Sequence, residues 1–154
     1  CIAVCCNTKS FQDKVENEAE LKAIAEGKQK IPLTGGNQTD CAILQWVIDL
    51  GAKNYKEIRE QNPVIKFFPF DSKVKRSSVL VRDTMGDNNK GKFVMYVKGA
   101  AEQILALCTQ KMDRDGQSTS ELSKDDESEI LKSMTAMTCS GLRCLAVCYR
   151  VYDV

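Results

Sequence analysis

Phe93-Val94-Met95-Tyr96-Val97-Lys98-Gly99-Ala100, running directly into Ala101-Glu102-Gln103-Ile104-Leu105-Ala106-Leu107-Cys108, is where the chain declares its fold. Lys92 to Val97 has the β-branched and aromatic content of a strand, whereas Ala101 to Cys108 puts Ile104, Leu105 and Leu107 at helical spacing. Between them, Lys98 is held at the end of a rigid strand, and Gly99 lets another group come close to the backbone. Upstream, Val64 to Phe70 and Ser77 to Arg82 have the same strand composition. Gly86-Asp87-Asn88-Asn89-Lys90-Gly91 makes a hairpin turn between the second and third of these runs. Three strands in succession predict an antiparallel sheet.

Farther out the period changes to that of helices. Thr39 can cap a helix running to about Leu50, with Ala42, Leu44, Val47 and Ile48 available to a core and Gly51 closing it. Asn54 to Gln61 reads as a short helix ending before Pro63. Downstream, Asp113-Arg114-Asp115-Gly116 marks a turn, and Ser123 with Asp126 opens a helix whose buried stripe is Ile130, Leu131, Met134 and Met137. That helix stops at Gly141 and is followed by a last strand over Leu142 to Tyr152. Ile2 to Cys6 reads as a strand end, Asp13 to Glu26 as a charged, weakly amphipathic helix or a mobile insertion stopped by Gly27, and 11–33 as a whole as a flexible insertion. The expected fold class is α+β: a twisted, mainly antiparallel sheet flanked by helices, in one domain over 1–154.

Composition narrows the chemistry. Of 154 residues 28% are charged and 43% hydrophobic, with a net charge of +1, which is the profile of a globular protein. No apolar run approaches the ~20 residues of a bilayer span, and the first residues lack a basic leader, so no membrane insertion and no export are expected. There is no histidine, which excludes Ser-His-Asp and Cys-His nucleophilic pairs and every His-containing zinc site. The eight cysteines (1, 5, 6, 41, 108, 139, 144 and 148) form no CxxC, and most sit in apolar stretches, as buried thiols of a reducing compartment do. No metal site is expected. Charge is uneven: 64–99 carries eight Lys or Arg against three Asp, while 113–130 carries two against seven Asp or Glu. Phe67, Phe68, Phe70, Phe93 and Tyr96 interleave the basic stretch, which suits either a polyanion bearing a flat ring or a solvated strand face.

Four blocks in order carry a specific pattern: Gly36-Asn37-Gln38-Thr39-Asp40-Cys41-Ala42, Pro69-Phe70-Asp71-Ser72-Lys73-Val74-Lys75-Arg76-Ser77-Ser78, Lys98-Gly99-Ala100 with Glu102, and Gly141-Leu142-Arg143 with Tyr149-Arg150. This pattern resembles the nucleotide-binding domain of P-type ATPases, most closely that of plasma-membrane-type calcium pumps, from Ile2 to about Asp153. Two positions depart from the family: Asp40 stands where Glu is usual and Ser77 where Met is frequent. The heavy-metal branch carries a His-Pro pair here, and this chain has no histidine.

The resemblance implies a single cytoplasmic ATP-binding domain of a larger pump, on the cytoplasmic face of a plasma membrane or an intracellular calcium store. It implies that Phe70 stacks on adenine, Lys98 lines the adenine pocket beside Gly99, and Lys75 lies by the ring or α-phosphate. Asp40 would accept from the adenine amino group and Arg143 would reach the phosphate tail. The alternatives are a core phenylalanine at 70, a helix N-terminal acid at 40 and a surface ion pair at 143. Partners implied are ATP and ADP, and the phosphorylation and actuator domains of the parent pump; nucleic acid is not among them, and the domain is expected as a monomer. Magnesium would be shared with the phosphorylation domain. No Asp-Lys-Thr-Gly-Thr block occurs, so no catalytic residue is expected in this chain and ATP hydrolysis belongs to the whole pump. An interaction module and a free-standing aspartate-based phosphotransferase are the other classes.

Overall fold

The computed structural model describes residues 37–51, 55–82, 91–116 and 118–152. The strand expected at Ile2 to Cys6, the segment 11–33 and most of the turn from Gly86 to Gly91 lie outside the described residues. Contacts divide the chain into two compact units, Ile2–Arg59 and one made essentially of Glu60–Val154.

In the first unit, α1 spans Gln38–Asp49 and α2 starts at Tyr55 and runs to Gln61. Asn37, not Thr39, caps α1: its backbone is extended and its side-chain oxygen accepts from the Asp40 amide at 2.8 Å. Thr39 is already helical, so its hydroxyl has no cap to make. The helix ends at Leu50, whose N–H donates to the Trp46 carbonyl, and Gly51 then turns the chain at φ +101°. Leu44 and Tyr55 form the core of this unit, with Ile43, Ile48 and Ile58 packed against them. The Arg59 guanidinium lies 5.2 Å from the centre of the Tyr55 ring.

The second unit is built on β1 (Val64–Asp71), β2 (Arg76–Arg82), β3 (Phe93–Ala100) and β6 (Leu145–Tyr152). They form one sheet in the order β1-β2-β3-β6, antiparallel throughout. The expected antiparallel sheet and the α+β class are both present. Directly opposed residues share a face, so the register defines two sides. One carries Ser77, Lys98 and Val147 in a row, then Val79, Tyr96 and Tyr149, then Val81, Val94 and Val151. The other carries Arg76, Gly99 and Ala146, then Ser78, Val97 and Cys148. In β2 burial follows this alternation, Ser77, Val79 and Val81 being buried, while β3 buries Val94 on the first side and Gly99 on the second. A short helix α3 (Ala101–Leu105) leaves β3 at once and buries Ala101 and Ile104. β3 therefore extends through Ala100, and Lys98 sits inside the paired strand instead of at its end.

Two short strands, β4 (Gln110–Met112) and β5 (Thr119–Glu121), pair around the expected turn. Asp113 and Asp115 close it: Asp115 accepts the Ser118 amide at 3.0 Å, Asp113 accepts the Ser120 hydroxyl at 2.7 Å, and Gly116 takes φ +69°. α4 (Lys124–Cys139) opens with a full capping box, Ser123 accepting the Asp126 amide and Asp126 accepting the Ser123 amide, each at 3.1 Å. Lys111 of β4 donates to Asp126 at 2.5 Å and ties hairpin to helix. Gly141 follows the helix at φ +77°.

The expected buried stripe on α4 is not there. No residue of this helix is buried, and Ile130, Leu131 and Met137 are 36%, 42% and 48% exposed. The helical spacing aligned these side chains, but α4 rests on the unit too shallowly to cover them. Among the described residues the expectation of buried thiols is only half met, since Cys41, Cys108, Cys144 and Cys148 are partly buried and Cys139 is exposed; Cys1, Cys5 and Cys6 lie outside the described residues.

Candidate functional site

The sheet register gathers five of the six expected site residues at one end. β1 finishes at Asp71, paired with Arg76, which is itself paired with Gly99. Ala100 pairs with Leu145, and Arg143 lies two residues before it in the exposed approach to β6. Phe70, Lys75, Lys98, Gly99 and Arg143 are thus carried at this one end of the sheet, spread across it in the order β1, β2, β3, β6, with Phe70 and Arg143 on the two outer segments. The loop bearing Arg143 is fastened there by a bond from the Ala101 amide to the Cys144 carbonyl at 3.4 Å. Asp40 stands in the other unit, in the first turn of α1, where it is buried and its negative charge complements the helix dipole.

Phe70 is 59% exposed. Its strand is irregular between Phe68 and Asp71, where two residues oppose one and Pro69 offers no amide. Like the rest of β1 the ring is open to solvent, so the core-phenylalanine alternative is not what the structure shows. Lys75 closes the following turn with a left-handed backbone, φ +50°, a conformation in which side chains other than glycine are uncommon. The turn begins with the Asp71 carboxylate accepting the Lys73 amide at 2.8 Å. It ends with the Lys75 carbonyl accepting the Ala100 amide at 3.0 Å. Lys98 shares its row with Ser77 and Val147. Ser77 is 5% exposed, and among the described residues every buried side-chain polar atom has a hydrogen-bond partner.

Leu145 was not singled out from the sequence, yet it is 47% exposed and opposes Ala100 on the side of the sheet that carries Lys98. Only strand register could place it there. Chemically, this end offers an accessible aromatic ring, the apolar Leu145 side chain and five cations, Lys73, Lys75, Arg76, Lys98 and Arg143. It offers no cluster of three potential metal ligands among the described residues.

Two titrating groups elsewhere are displaced. Lys111 beside Asp126, helped by the Ser123 hydroxyl and amide, lowers that carboxyl to about 2. Burial pushes the Cys148 thiol up to about 11, the neighbouring Cys108 adding to the rise and Arg76 opposing it. A groove of about 600 Å³ lies along α4, lined by Lys124, Glu127, Ser128, Leu131, Lys132 and Thr135. All six lining residues belong to one helix, and none is an expected site residue. Polar groups do not converge on it from a second described element, as they do in ligand sites. No helix among the described residues is long and apolar enough to cross a membrane.

The family described as P-type ATPase, cytoplasmic domain N, matches residues 1–154. Plasma membrane calcium-transporting ATPase 4 of Homo sapiens is 35% identical over 126 residues, which is 80% of this chain and 10% of that protein. Calcium-transporting ATPase 2 of Cryptococcus neoformans var. grubii is 31% identical over 160 residues, 98% of this chain and 10% of the relative. Calcium-transporting ATPase 10, plasma membrane-type, of Arabidopsis thaliana is 31% identical over 118 residues, 77% and 10% respectively. The chain spans about a tenth of the length of these relatives. With a whole-chain family match joined to the antiparallel sheet and its four sequence blocks, the chain belongs to the P-type ATPases, as their cytoplasmic domain N.

Proposed function

We propose that this chain holds ATP for a calcium-transporting P-type pump and presents the γ-phosphate to an aspartate in a neighbouring domain of the parent. The observation that carries the reading is the placing of an exposed Phe70 ring with Lys75, Lys98 and Arg143 at one end of the sheet. Adenine stacks on Phe70 and rests against Leu145, while Lys98 and Lys75 supply positive charge beside the ring and α-phosphate. Arg143 reaches the phosphate tail with its planar fork. Calcium as the transported ion rests on the printed names of the relatives. Magnesium accompanies the nucleotide and is held with the parent's phosphorylation domain.

The domain does not hydrolyse ATP by itself, because the Asp-Lys-Thr-Gly-Thr acceptor block is absent from its sequence. With no phosphate-cradling glycine loop, affinity is modest, on the order of 0.1–10 mM, and about equal for ATP and ADP. Titration of the chain with each nucleotide, followed by amide shifts or calorimetry, tests this. No response at ~10 mM nucleotide would remove the assignment, and turnover that survives purification would move it to a free-standing enzyme.

A second activity is compatible with the first. β1 is exposed along its whole length, including Val64, Ile65, Phe67 and Phe68, which favours docking onto the phosphorylation or actuator domain of the parent.

A further inference from the structure

The backbone of Gly99 invites the reading that its bareness admits a nucleotide, but the register directs the missing side chain elsewhere. Successive residues of a strand face opposite sides. Lys98 lies in the row of Ser77 and Val147, and Gly99 in the row of Arg76 and Ala146. The space that glycine leaves is therefore on the side away from the Lys98 ammonium.

That space is filled by the chain itself. A Cβ on Gly99 would collide first with the Lys75 carbonyl oxygen, then with Arg76 Cβ at 2.8 Å and Arg76 Cα at 2.9 Å. Two of the three are backbone atoms, which cannot rotate away as a side-chain tip can. The same Lys75 carbonyl accepts the Ala100 amide at 3.0 Å, and Lys75 is the non-glycine residue held at positive φ among those described. A left-handed lysine persists only where its surroundings over-determine it. Here the surroundings are the Ala100 amide and the bare Gly99 Cα. The other end of the turn is held by the Asp71 carboxylate accepting the Lys73 amide.

We infer that Gly99 is a positioning residue: it admits the Lys75 carbonyl, locks the turn in its left-handed setting and so aims the Lys75 side chain, acting on nucleotide through Lys75. The part concerning nucleotide rests on the ATP-holding reading above; the part concerning the turn does not.

The test is a double-mutant cycle in the full chain with Gly99→Ala, Lys75→Ala and the pair, read by backbone amide shifts and by ATP titration. Gly99→Ala should move the amides of Lys73 to Arg76 and of Ala100 while leaving Val81 and Val94, at the far end of the sheet, in place. Lys75→Ala should weaken ATP binding by up to about fivefold in the parent chain, and by much less once Gly99→Ala is present, because the side chain is already misaimed. Equal weakening in both backgrounds, or unmoved turn amides, overturns the inference. If the parent chain binds no ATP, the ATP reading falls, while the turn amides still decide whether Gly99 sets Lys75. If Gly99→Ala does not fold, hydrogen exchange of the parent chain decides: the Ala100 amide, which donates to the Lys75 carbonyl at 3.0 Å, should be protected, and free exchange there overturns the inference.

Discussion

Replacing Phe70 by alanine separates a binding ring from a packing ring, and the structure sets the size of each effect. The ring is 59% exposed, so only about two-fifths of its surface is covered. Full burial of a phenylalanine stabilises by about 1.5–3 kcal/mol, so truncation here should cost about 0.6–1.2 kcal/mol. For a domain of this size, each kcal/mol lowers the melting temperature by about 2–4 °C, giving a loss of roughly 1–5 °C. A base stacked on the ring is worth about 1–3 kcal/mol, so nucleotide affinity should fall between about fivefold and 150-fold. The assay pairs thermal unfolding with ATP titration of the same preparation. Ile104→Ala is the packing control: that side chain is 2% exposed and its truncation should cost about 2–5 kcal/mol without selective loss of binding. Unchanged affinity in Phe70→Ala would refute the stacking role, and a loss of about 3–5 kcal/mol in stability would refute the reading of the ring as solvent-facing.

Two further predictions concern titration. Asp126 is lowered from 3.8 to about 2 in the folded chain, so its contribution is fully present above the unfolded value and is lost as pH falls through about 2. Asp126→Asn should therefore melt below the parent near pH 7, with the gap closing between about pH 4 and pH 2 in a series of melting curves; a gap that stays constant would refute the Lys111 and Ser123 account. Cys148, raised to about 11, should remain a thiol at pH 8 and alkylate far more slowly than exposed Cys139, as mass-mapped iodoacetamide labelling would show. Comparable rates at the two sites would contradict the burial of Cys148.

Much of this architecture is written locally. The β-branched and aromatic content of Ser77 to Arg82 and Lys92 to Val97 identifies strands, because such side chains fit the pleated surface of a sheet. The Ser123 and Asp126 pair announces its helix because both partners lie within one turn. Gly141 reads as a stop because only glycine takes φ +77° without strain. The order of the blocks around Phe70, Lys98 and Arg143 pointed to the family before any register was available. By contrast, β4 and β5 have three residues each, too few to show a period, and they stand through side-chain bonds from Asp113 and Asp115.

The sequence alone determines the longer strands and helices, since those preferences come from neighbours a few residues apart, while the three-residue β4 and β5 depend on their pairing. Tertiary structure alone decides which side of the sheet each residue faces and what covers it. Helical spacing lined up Ile130, Leu131 and Met137, but whether a second surface reaches them is settled by docking, and it does not. Phe70 is exposed because β1 is an edge strand that no described element covers on either side, which its own residues do not reveal. Gly99 faces the Lys75 carbonyl because β2 and β3 pair in a register that no single strand carries in its own residues.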